Sequence, residues 1–100
     1  MSTHDFSELY DQYPAIIAMM PSMFTSHQFI LKLAQQRQRL YIEALHSYRD
    51  NEREAPFMIV HGILAKKLTQ LPELIKLVRR DAPSKDIFGE SNDCAEWKKV

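Results

Sequence analysis

Glycine is nearly missing from this chain: Gly62 and Gly89 are the only two in 100 residues. Two-residue hairpin turns need positive φ at their centre, and no stretch here alternates apolar and polar residues between turn signals, so little or no sheet is expected. The same scarcity excludes a glycine-rich phosphate loop and a dinucleotide fingerprint, because the two glycines stand far apart. Cysteine is rarer still. Cys94 stands alone, which excludes an internal disulfide and fits a reducing compartment, so a cytoplasmic protein is expected.

No long hydrophobic run is present either. The longest, Ala15 to Met20, stops at Pro21 and falls well short of the about 18 residues that a membrane span requires. Asp5, Glu8 and Asp11 precede it, where a signal peptide would carry positive charge. Neither export nor a membrane partner is expected. Charge of one sign is also lacking, since thirteen Lys and Arg balance thirteen Asp and Glu. Nothing global draws the chain to nucleic acid or to an anionic surface.

What is present is a globular composition, 45% apolar and 26% charged, which fits one domain spanning 1–100. Prolines 14, 21, 56, 72 and 83 punctuate it, since proline suits the first turn of a helix and damages its interior. The strongest pattern runs from about Ser26 to Asp50. Thr25-Ser26-His27-Gln28 has the form of a capping box. Phe29, Ile30, Leu33, Ala34, Leu40, Tyr41, Ala44, Leu45 and Tyr48 then recur at three- and four-residue spacing, predicting one long helix with a buried stripe.

Pro56 opens a second amphipathic helix to about Thr69, with Phe57, Val60, Leu64 and Leu68 on its inner face. Glu73 to Arg80 reads as a short third helix whose charges complement its dipole. One or two short helices before Met20 and a last one bearing Cys94 and Trp97 complete the expectation. The predicted fold is all-α: a single-domain bundle of four to six helices around one long central helix at about 26–50.

Several groups of residues carry functional expectations. Lys66, Lys67, Lys76, Arg79 and Arg80 set five cations against Glu73 alone in segment 63–80, where two helices joined at Leu71-Pro72 resemble a helix-turn-helix. A DNA-binding module is therefore one reading; an ordinary hairpin with solvated lysines is the plainer one. Arg37 lies inside the apolar stripe of the long helix, either as an ion-paired structural residue or as a charge-reading contact. Met19, Met20 and Met23 form a deformable cluster suited to docking or to filling core space. Trp97, Tyr10 and Tyr13 are candidate anchors for a partner or for the core.

Signals for chemistry are weaker. Glu43 and His46 have the Glu-x-x-His spacing of carboxylate-bridged metal bundles, but one copy is insufficient and His46 projects away from the apolar stripe. His61 and Cys94, with Asn92 and Asp93, supply the residue types of a thiol nucleophile without any nucleophile motif. No cofactor, metal or catalytic residue is therefore expected. The function anticipated is a small non-enzymatic interaction or regulatory module working through protein–protein contacts, a second copy of itself included. Its contact residues would be Met19, Met20, Met23, Arg37 and Trp97.

Overall fold

The computed structural model describes residues 4–100. It corrects the all-α expectation. Among the described residues there are five helices and a three-stranded antiparallel sheet, in the order α1 (Ser7–Asp11), α2 (Tyr13–Met19), β1 (Met23–Thr25), α3 (Ser26–Gln36), α4 (Gln38–Ser47), α5 (Pro56–Leu68), β2 (Ile75–Ala82) and β3 (Cys94–Lys99). The strands lie in the order β1-β3-β2. The helices predicted at Glu73 to Arg80 and around Trp97 are thus strands.

The physical reason lies in pairing. Trp97 sits opposite Phe24 on one side and Leu77 on the other, so three large apolar side chains share one face of the sheet. A helix over the same residues would scatter them. The connection between β2 and β3 is not a two-residue hairpin but residues 83–93, and within it the one position needing positive φ is Gly89, at φ 82. A single glycine is enough for a turn of that length.

The expected long helix is also corrected, because it breaks at Arg37. This residue leaves helical geometry at φ −132, ψ 55, between α3 and α4. From Gln35 to Arg39 five polar residues span more than a full turn, so no apolar side chain holds that turn against the core. Arg37 instead donates from Nε to Gln12 Oε1 at 2.6 Å, tying the break to the start of α2.

The start of α3 follows expectation. Thr25 Oγ1 accepts from the Gln28 amide at 3.2 Å, and Gln28 Oε1 accepts from the Thr25 amide at 2.8 Å, a complete capping box. From there Phe29, Ile30 and Leu33 are buried, and α3 packs on α2, α5 and both β1 and β3. Its link to the sheet is specific: the buried Trp97 indole N–H donates to Ser26 Oγ at 2.9 Å. Tyr13, fully buried, donates its hydroxyl to the Leu64 carbonyl at 2.7 Å and joins α2 to α5. Burial pushes that phenol's pKa up, so it stays a donor. No helix among the described residues is long and apolar enough to cross a membrane.

Candidate functional site

Helix α5 begins with Pro56 in its first turn, after an extended Ala55. Val60, Leu64 and Leu68, four residues apart, are buried; α5 packs on α3 and α4, and Leu68, at its end, also reaches the sheet side. A second stripe, Phe57, His61, Ala65 and Thr69, has the same spacing and is not closed over. It forms one wall of a trough whose opposite wall is the sheet.

The trough has two contiguous halves that share Thr69, Ala95 and Trp97. The first, about 570 Å³, lies between Phe57, Met58 and His61 of α5, the start of α3, and Phe88 and Cys94 on the sheet side. The second, about 620 Å³, lies beyond the end of α5, floored by Leu68, Ile75, Leu77 and Trp97 and flanked by Lys76 and Arg80. Phe57 (41% exposed), Met58 (69%), Phe88 (57%) and Leu77 (40%) all border it. Adjacent exposed apolar side chains around a concavity have a different meaning from the same residues scattered singly.

The 83–93 connection that carries Phe88 is held in shape by Asp86. Its Oδ1 accepts from the amides of Phe88 and Glu90 at 2.9 and 3.0 Å, while Lys85 and Ser91 form an isolated bridge. Ser84 Oγ lies 3.3 Å from Thr25 Oγ1 and 3.1 Å from His27 Nδ1, which anchors the connection to the first turn of α3. Phe88 then meets Phe57 edge to face at 4.7 Å between ring centres, within the favourable range for aromatic pairs.

His61 is the polar centre of this half. Its ring is stacked between Tyr41 and Phe88, and its Nε2 lies 2.5 Å from the Tyr41 hydroxyl. Burial raises the Tyr41 phenol to about 12, so the phenol keeps its proton and donates. His61 Nε2 therefore accepts, and the neutral imidazole carries its hydrogen on Nδ1. Burial lowers the His61 pKa, and His27 lowers it further, while the Asp86 carboxylate opposes both.

The residues anticipated from sequence do not form one surface. Met20 and Trp97 are core residues, 6% and 5% exposed, whereas Met19 and Met23 are exposed at 49% and 44%. Arg37 is half-buried at the helix break, engaged with Gln12. Tyr13 closes the core, and Tyr10 lies beneath the Lys67 ammonium, 4.7 Å from the ring centre. Of the five cations, Lys66, Lys76 and Arg80 line the trough. Arg79 pairs with Glu96 at 3.3 Å.

The helix-turn-helix resemblance is overturned, because its second helix is β2. Glu43 and His46 are both exposed, and no metal-holding group of three His, Cys, Asp or Glu occurs among the described residues. His61, Asn92 and Cys94 do line the same half of the trough. No hydrogen bond joins the Cys94 thiol to His61 or His27 among the described residues, and the nitrogens those imidazoles engage are committed to Tyr41 and Ser84.

Sequence reasoning missed Phe57, Met58, Phe88 and Leu77 as surface residues. A signal existed: α5 is apolar almost all round, from Phe57 through Ala65, which is more than one buried stripe requires. Compared with known proteins, the chain matches no family model, no curated protein and no solved structure.

Proposed function

We propose that this chain is a non-enzymatic interaction module that receives a segment of a partner protein in the trough between α5 and the sheet. The observation that carries this is the position of Phe57, Met58 and Phe88, exposed around one hollow, and of Leu77, exposed at the second hollow that shares Thr69, Ala95 and Trp97 with it. Burying apolar side chains of this size contributes about 25 cal/mol per Å² removed from water, and residues of this kind supply the anchors of interfaces. The commitment of His61 to Tyr41 favours binding over catalysis, since a half-buried imidazole whose accepting nitrogen is already occupied is a poor general base. A reducing, cytoplasmic setting belongs to the proposal, with Cys94 remaining a free thiol.

Gly62 provides the test. It lines the trough, and a Cβ built there meets nothing within 4 Å. Gly62→Trp should therefore fill the groove without disturbing the core. In pull-downs from native cells, the wild-type chain should retain a protein that Gly62→Trp loses while melting at an unchanged temperature. Equal retention by both forms, or no retained protein at all, would remove the trough as the docking site.

A further inference from the structure

Strand β2 lies at the edge of the sheet, paired on one side only, with β3. Its far side presents unpaired N–H and C=O groups, and the basic half of the trough opens beside it. We propose that an acidic, extended segment of the partner adds to β2 as a fourth strand. Its apolar side chains would enter the half-trough floored by Leu68, Leu77 and Trp97, and its carboxylates would meet Lys76 and Arg80. This deepens the docking role proposed above and rests on it.

Charge selects the occupant. Lys76 and Arg80 flank this half of the trough, and no Asp or Glu side chain lines it. Lys98 lies opposite Lys76 in the register, adding a third cation to the same end of the sheet. A second copy of this chain is a poor occupant, because each β2 carries Lys76 and Arg80, besides the Arg79 that pairs with Glu96, against Asp81 alone. Two such strands side by side would repel. The same cations that keep copies apart favour an anionic strand.

A nucleic acid is also disfavoured. Exposed Glu73 lies in the turn just before the strand and exposed Asp81 near its end, where a continuous polyphosphate would meet them, whereas a peptide carries carboxylates only where they are needed. Main-chain pairing along β2, regular from Ile75 to Leu77 and bulged on either side of Arg79, supplies affinity that a nucleic acid has no groups to use, while the cleft supplies side-chain selection.

The probes are three dye-labelled peptides of about eight residues, read by fluorescence anisotropy: alternating Glu and Val, alternating Lys and Val, and the Glu-Val peptide N-methylated at alternate residues. A random-sequence DNA duplex is the fourth. The Glu-Val peptide should bind. The Lys-Val peptide, the N-methylated peptide and the duplex should each bind at least tenfold more weakly. The double variant Lys76→Glu, Arg80→Glu should lose at least tenfold for Glu-Val and gain for Lys-Val, and that gain shows the variant to be folded.

Equal binding of the N-methylated peptide would overturn strand addition. Equal binding of Lys-Val would overturn the charge selection, and tighter binding of the duplex would overturn the peptide altogether. If Glu-Val fails while a cellular protein is still lost on Gly62→Trp substitution, this inference falls and the docking role stands. If that cellular protein is also retained equally, both fall.

Discussion

His61 shows how one side chain couples the trough to solution conditions. Burial holds its folded-state pKa below the unfolded value of about 6.5. Over the interval between those two values, the unfolded chain binds a proton that the folded chain does not. The contribution of neutral His61 is therefore complete above about pH 6.5 and is lost as the pH falls through the folded-state pKa. Protonation would also turn Nε2 from an acceptor into a donor facing the Tyr41 hydroxyl. Asp86 tempers the effect and His27 adds to it. In urea titrations between pH 7.5 and 5, the wild-type chain should lose more stability than His61→Gln, which retains an acceptor but does not titrate. Parallel curves would show that the imidazole is not held neutral by burial.

At the scale of elements, the capping box of α3 does two jobs. Thr25 ends β1, caps α3 and accepts from Ser84 of the 83–93 connection. Thr25→Ala should cost about 1–2 kcal/mol, at or above the usual value for a lost N-cap because a second hydrogen bond is lost with it. Thermal melting should show a fall of several degrees, and a change below 1 °C would mean that the cap is not formed. This box was legible because its signal is local, four residues long.

The strands were not legible, and the reason is geometric. Along β2 only Ile75 and Ala82 are buried, because one face borders an open trough and the other meets water. The alternation that identifies a strand is consequently absent. Leu74, Ile75, Leu77 and Val78 fit a helical spacing equally well. Strand β3 does alternate, with Ala95 and Trp97 bordering the trough and each followed by a charged residue, Glu96 and Lys98, but one large apolar residue in six positions is a weak signal. Scarcity of glycine argued only against the tightest turns, and the long connection at Gly89 avoids them. At Arg37 the clue was an arginine where the stripe calls for an apolar residue, with no proline or glycine to mark the break.

For the molecule as a whole, a single cluster of buried side chains runs from Phe6 and Tyr13 through Phe29 and Leu64 to Ile75 and Trp97. Helices and sheet thus share their core, which favours cooperative unfolding. Far-UV circular dichroism follows the helices, and the fluorescence of Trp97, the one tryptophan, follows the sheet. The two denaturation curves should coincide in midpoint. Separate midpoints would indicate that the helical layer holds together after the sheet is lost.

The strand order has a temporal meaning as well. The middle of the sheet is the strand that arrives last in the chain, and it pairs Thr25 with Glu96 and Phe24 with Trp97. Until it docks, β1 and β2 have no neighbour among the strands, and the floor of the groove has no indole. Closing so wide a loop is entropically demanding and slow. Helices can gather early, but the trough takes shape only when β3 settles between its neighbours.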